Sequence, residues 1–182
     1  MVEASQNPIA PVALLIYRRP ALVRGLMQTL EKARPRRIWI LADGPRRDRG
    51  TEEAELCRAT RKAAEDGVTW ECEVRKVYAE ENLGLKRGVE SGLTALFKME
   101  EEAVVLEEDC YPVPEFFRFC SEMLARYRNE PQVAAISGNC FLPQAARPEG
   151  DYFFSRYLHI WGWATWARAW NSYDRTCWQW PK

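Results

Sequence analysis

Histidine is almost missing from this chain. His159 stands alone among 182 residues, which excludes a histidine-built metal cluster within one chain. The six cysteines (Cys57, Cys72, Cys110, Cys120, Cys140 and Cys177) form no CxxC pair and no zinc-type spacing, so they read as reduced, mostly buried thiols. An excess of one charge is missing too. Lys plus Arg and Asp plus Glu number 26 each, which gives no overall pull towards nucleic acid or an anionic membrane. No apolar run approaches membrane-spanning length, and residues 1–10 lack the apolar core of a signal peptide. The expectation is a soluble cytoplasmic protein without a nucleic-acid partner or a transmembrane segment.

What is present is a globular composition with a strand-and-helix rhythm. Hydrophobic residues make up 47% and charged residues 29%, enough apolar surface for one domain with a real core. "PVALLIY" (Pro11–Tyr17) is a short continuous apolar run, as expected of a strand buried on both faces. "ALVRGLMQTLEKA" follows, with Leu22, Leu26, Met27 and Leu30 on one helical face and Pro20 at its start. "RIWILADGP" predicts a second strand ending in an Asp43-Gly44-Pro45 turn. Residues 51–66 predict a helix closed by Gly67, and "VTWECEVRKVY" a third strand with one wetter face. A helix over "ENLGLKRGVESGLTALFKMEE", a strand at "AVVLEED", a helix over "PEFFRFCSEMLARYRNEP" stopped by Pro131 and a strand at Val133–Ser137 complete the series. This alternation predicts an α/β sandwich with a mostly parallel sheet flanked by helices. Residues 1–10 read as a loose start, 11–138 as the α/β core, and 139–182 as a tryptophan-rich segment of the same domain.

In such sheets ligands bind beyond the carboxyl ends of the strands. Tyr17-Arg18-Arg19, Asp43-Gly44-Pro45, Glu80-Glu81-Asn82 and Glu107-Glu108-Asp109 all fall there. The last of these poses a question. Three adjacent carboxylates repel, and burial disfavours their charged forms, so something positive is expected beside them. A divalent cation held against a diphosphate is one answer, because carboxylate oxygens suit Mg²⁺ or Mn²⁺. A solvated acidic turn is the plainer alternative.

"VVLEEDCYPVPEFFRFCSEML" resembles the DXD region of nucleotide-sugar glycosyltransferases with the GT-A fold, in particular the family-two-like enzymes and the N-acetylglucosaminyltransferase I group. "PVALLIYRRPALVRGLMQTL", "RIWILADGP" and "ENLGLKRGVESGL" resemble the segments that precede it in those enzymes, in the same order. The resemblance implies a Rossmann-like GT-A core that takes a nucleotide-diphosphate sugar, a UDP-sugar in particular. It implies Mn²⁺ or Mg²⁺ as cofactor and a glycan or glycolipid as acceptor, with inversion at the sugar carbon. Tyr17 and Arg18 would line the nucleotide, and Asp43 would accept from a base imide or else cap its own turn. Asn82 and Gly84 would open a helix near the donor, with Lys86 and Arg87 meeting phosphate charge or serving as surface cations. Glu108 would face the sugar or ribose, Asp109 would be the main metal contact, and Glu107 would stand behind them.

Six of the eight tryptophans fall between Trp161 and Trp180. "RYLHIWGWATWARAWNSYD" resembles the acceptor-side segment of the same enzymes, which places Trp161, Gly162 and Trp163 beside the sugar. Trp163, Trp166 and Trp170 also have helical spacing and read equally as core. Asp174 is the nearest later carboxylate for a catalytic base, and His159 is a candidate late metal ligand or a packed ring. Two other readings stay open. A nucleotidyltransferase would share the fold, although "LLIYRRPALVRG" lacks the glycine run of that class. A non-catalytic nucleotide-sugar-binding or partner module would need no base.

Overall fold

In the computed structural model of the protein, residues 8–143, 149–174 and 176 are described. Cys177, Trp178, Trp180 and most of the loose start lie outside them. The elements run β1 (Val12–Ile16), α1 (Pro20–Ala33), β2 (Arg37–Ala42), α2 (Gly50–Asp66), β3 (Glu73–Tyr78), α3 (Gly84–Phe97), β4 (Glu102–Glu107), α4 (Pro114–Arg126), β5 (Ala135–Ser137), β6 (Trp163–Trp166) and α5 (Ala167–Trp170), with a 3-10 turn at Arg47–Arg49.

The six strands form one sheet in the order β3-β2-β1-β4-β6-β5. β1 pairs in parallel with β2 and with β4, and β2 in parallel with β3. β6 runs antiparallel to both β4 and β5. The result is the α/β sandwich of Rossmann-like layout that the alternation predicts.

Both faces are covered, which explains the unbroken apolar runs of β1, β2 and β4. On one face Val12, Leu14, Ile38, Ile40, Val104 and Leu106 pack with Val23, Leu26 and Leu30 of α1, Ala64 of α2, and Phe117 and Leu124 of α4. On the other face Ala13, Trp39, Leu41 and Val105 pack with Leu93, Leu96 and Phe97 of α3. The chain lays α1 and α2 on the first face while stepping from β1 out to β3. It then crosses the second face through α3 to return beside β1 as β4. The direction of winding therefore reverses between β1 and β4, and a crevice at the carboxyl ends of those strands follows from the topology.

The tryptophans depart from the helical expectation. Trp163 and Trp166 lie on β6, where a separation of three residues sends side chains to opposite faces. Trp166 enters the first core with its ring N–H on the Leu124 carbonyl at 3.2 Å. Trp163 packs at the second. Trp170, on the single turn of α5, donates to Thr94 Oγ1 at 3.1 Å.

Candidate functional site

A cleft of about 640 Å³ opens at the carboxyl ends of β1, β2, β3 and β4, roofed by the first turns of α3. Its apolar lining includes Leu15, Leu41, Val77 and Val89. Its polar lining comes from Arg18, Arg19, Arg46, Asn82, Glu107 and Glu108. Gly88 leaves room in the cleft where a larger residue would fill it, while Gly92 lets α3 pack closely on Leu41, 3.1 Å from where a Cβ would lie. Such glycines cost a helix roughly 1 kcal/mol each relative to alanine.

The acidic strand end does meet a positive group, and it comes from the chain itself. Arg19 is the N-cap residue of α1, with Pro20 fixing the first helical position. Its carbonyl accepts from Leu22 and Val23, while its side chain crosses the β1–β4 crevice. Arg19 Nε donates to Glu108 Oε1, and Nη2 to Asp109 Oδ2 at 3.1 Å. Glu108 is buried, and its second oxygen accepts the Tyr17 backbone N–H at 2.9 Å. The carboxylates thus compensate a guanidinium placed at the positive end of a helix.

Glu107, expected behind the others, instead lines the cleft, and Asp109 lies outside its lining. Burial, and then the charge of Asp109, pushes the Glu107 carboxyl above its ordinary range. Among the described residues no three His, Cys, Asp or Glu side chains could hold a metal ion. With Glu108 committed to Tyr17 and Arg19, and Asp109 to Arg19, the carboxylates in this arrangement do not fit a resident divalent ion.

At the end of β2, Asp43 accepts four hydrogen bonds. Gly44 N–H and Leu83 N–H reach Oδ1 at 2.8 Å each, while Asn82 Nδ2 at 2.9 Å and Gly84 N–H at 3.1 Å reach Oδ2. Asp43 therefore caps α3 from a distance, satisfying donors the helix start cannot. An incoming imide N–H would have to displace one of these four. Gly84 has φ +76°, which glycine adopts without strain. Gly44 is required by contact, because a Cβ there would lie 2.5 Å from the backbone of Glu81. Arg61 ties the ends of β2 and β3, donating to the carbonyls of Asp43 at 3.1 Å and Ala79 at 2.6 Å.

Opposite the acidic end sits a carboxylate with the reverse balance. Glu53, in the first turn of α2, is only 3% exposed. It accepts from Tyr17 Oη, from Arg18 Nη1 at 2.9 Å, and from the backbone N–H, Nε (3.2 Å) and Nη2 (2.8 Å) of Arg46. Hydrogen bonds from Arg46, then Tyr17, hold the Glu53 carboxyl well below the usual carboxylate range. Burial, then the bond to Glu53, pushes the Tyr17 phenol up to about 12. Tyr17 and Arg18 were expected at the cleft, and both line it. Arg19 stands in a strand-end segment expected at this edge but without an assigned role, and Arg46 and Glu53 are not among the expected site residues. Glu53 was detectable, since it shares a helical stripe with Cys57, Thr60 and Ala64, where a carboxylate needs a partner.

Several expected residues lie elsewhere. Lys86 and Arg87 are exposed on α3, outside the cleft lining. Asp174 accepts from the backbone N–H and hydroxyl of Thr176 at 2.8 Å and 2.7 Å. Its neighbour Tyr173 stacks on Trp170, which donates to Thr94, two residues beyond Gly92 on α3. Asp174 is not among the residues that line the cleft. His159 turns its ring edgewise to Phe141 at 4.8 Å, which is packing. Trp163 pairs with Val105 near the end of β4. Gly162 (φ +76°) and the 54% exposed Trp161 therefore lie at the same sheet edge as the acidic residues.

The chain matches no family model and no curated protein sequence. A solved 4-diphosphocytidyl-2C-methyl-D-erythritol synthase from Anaerococcus prevotii is similar at 12% identity and a TM-score of 0.48, over 87% of this chain and 72% of its own. A UDP-glucose pyrophosphorylase, solved with UDP-glucose, is similar at 12% identity and a TM-score of 0.37, over 69% of this chain and 55% of its own. The functional reading rests on the site residues instead.

Proposed function

We propose that the cleft binds a nucleotide-diphosphate sugar and that the chain supplies the donor side of a GT-A-type glycosyl transfer to a glycan or glycolipid hydroxyl. The observation that carries this reading is the cleft at the β1–β4 reversal, lined by apolar side chains together with arginines and carboxylates. The nucleoside would occupy the slot between Leu15, Leu41, Val77 and Val89. The diphosphate would lie towards the arginines, and the sugar towards Glu107 and the Trp161-Gly162 edge. The exposed Trp161 offers an apolar face to a sugar ring. Arg18 and Arg46 would stabilise charge growing on the departing diphosphate. A divalent ion carried in with the diphosphate would have to draw Asp109 away from Arg19.

Nucleotidyl transfer from a nucleoside triphosphate is the second reading, since an arginine-rich lining also suits a triphosphate. One assay separates the two. The protein is incubated with UDP-, GDP-, dTDP- and CDP-sugars, and in parallel with nucleoside triphosphates plus a sugar 1-phosphate. Slow donor hydrolysis breaks the bond from the sugar carbon to the diphosphate oxygen and releases nucleoside diphosphate, with water supplying the new hydroxyl. That product supports glycosyl transfer. Pyrophosphate release from the triphosphate arm would replace it with nucleotidyl transfer. Nucleotide binding with neither product would leave a non-catalytic binding module.

A further inference from the structure

Glu53 holds two guanidiniums where one would neutralise it. Its carboxylate is buried, with 3% side-chain exposure, while Arg18 and Arg46 keep 44% and 35% of theirs. The cluster therefore carries one surplus positive charge, and both cations line the cleft. Beside the end of β4 the lining has the reverse arithmetic, one guanidinium, Arg19, and two carboxylates, Glu107 and Glu108. A cleft with one net cationic and one net anionic wall orients a dipolar ligand.

We propose that Arg18 and Arg46 form a two-arginine clamp for the diphosphate of the ligand, and that Glu53 is the positioning residue that sets both guanidiniums. The geometry has the parts of such a clamp. Arg46 meets Glu53 through its backbone N–H, Nε and Nη2, so the carboxylate grips its guanidinium along one side. Arg18 offers only Nη1 to Glu53. The Tyr17 hydroxyl, held protonated, donates to the same carboxylate and braces it from the β1 side. Guanidiniums held in fixed planes bind phosphate oxygens through paired N–H bonds. A buried anchor also means that little side-chain freedom is lost on binding.

This inference rests on the nucleotide-diphosphate reading and deepens it. The test measures dissociation constants for UDP, uridine and inorganic pyrophosphate on the wild-type chain and on Arg46→Ala, Arg18→Ala and Glu53→Gln. Thermal midpoints serve as the control for folding. Each arginine variant is expected to weaken UDP and pyrophosphate by about tenfold or more and to leave uridine within about twofold, as for a lost charge-assisted contact to phosphate. Arg18 is nearly half exposed, so its removal leaves the fold intact even where Arg46→Ala does not. Glu53→Gln adds a net positive charge, yet is expected to weaken pyrophosphate, because the guanidiniums lose their anchor. A purely electrostatic role would make that variant bind more tightly. An unchanged UDP-to-uridine ratio in the Arg18 variant overturns the clamp while the nucleotide cleft stands. A wild-type chain that binds none of the three probes overturns both.

Discussion

Arg19 Nη2 lies 3.1 Å from Asp109 Oδ2, so the last carboxylate of the acidic strand end is already matched by an arginine that follows the neighbouring strand. The pairing follows from topology. β1 and β4 are adjacent and parallel, and each ends in charge at the same edge. Replacing Arg19 with Gln leaves Glu108 buried without its cation. Stability should fall by about 2 kcal/mol, a value discounted because Arg19 is half exposed. The same variant should gain a Mn²⁺-dependent rise in thermal midpoint that the wild-type chain shows weakly without nucleotide. An Arg19→Gln protein indifferent to Mn²⁺ would show that these carboxylates do not attract a divalent ion even when freed.

Asp43 and Gly44 test the β2 end. Asp43→Ala removes the acceptor for the Leu83 and Gly84 N–H groups and should cost about 1–2 kcal/mol, as for other lost helix caps. Gly44→Ala should cost at least as much, because its Cβ meets backbone rather than a movable side chain. Urea denaturation measures both. A Gly44→Ala chain of wild-type stability would mean that the Glu81 loop yields freely.

Gly88 separates binding from folding. A Cβ there would sit 3.7 Å from the Asp43 carboxyl, an ordinary contact, and a leucine would extend into the cleft. Gly88→Leu should keep or raise stability by up to about 1 kcal/mol through helix propensity while abolishing nucleotide binding. Undiminished binding in a folded Gly88→Leu protein would place the nucleotide elsewhere.

Two carboxylates should titrate against stability with opposite sign. Glu53 is depressed below its ordinary 4.5, so in that window the unfolded chain holds the extra proton. Its stabilisation is present above about pH 4.5 and is lost as pH falls. Glu107 is raised, so the folded chain holds the extra proton, and its contribution is lost as pH rises through the raised value. Thermal midpoints from about pH 3 to about pH 7 should show Glu53→Gln flattening the acid limb. Glu107→Gln should gain on the wild type as pH rises. An identical pH profile for all three proteins would rule out both assignments.

Much of this arrangement was legible from residue order. Continuous apolar runs marked β1, β2 and β4, and their parallel pairing put four charged turns on one edge. β6 was not legible, because it is four residues long and its tryptophans mimic a helical period. The charge pairing was also beyond the pattern. Sequence shows that Glu107-Glu108-Asp109 needs a cation, but Arg19 is 90 positions from Asp109 and meets it only after the sheet forms. Glu107 and Asp109 changed places relative to expectation for a similar reason. Strand pleating turns Glu107 towards the α3 side with Val105, while the chain after β4 carries Asp109 out of the cleft.

The most direct test of the nucleotide cleft is calorimetric titration of the wild-type chain and Gly88→Leu with UDP, GDP, dTDP, CDP and ADP. One nucleotide should bind the wild-type chain at a single site, and Gly88→Leu should lose that binding while melting no lower. If no nucleotide binds the wild-type chain, or if binding survives Gly88→Leu, the cleft at the β1–β4 reversal is not a nucleotide site.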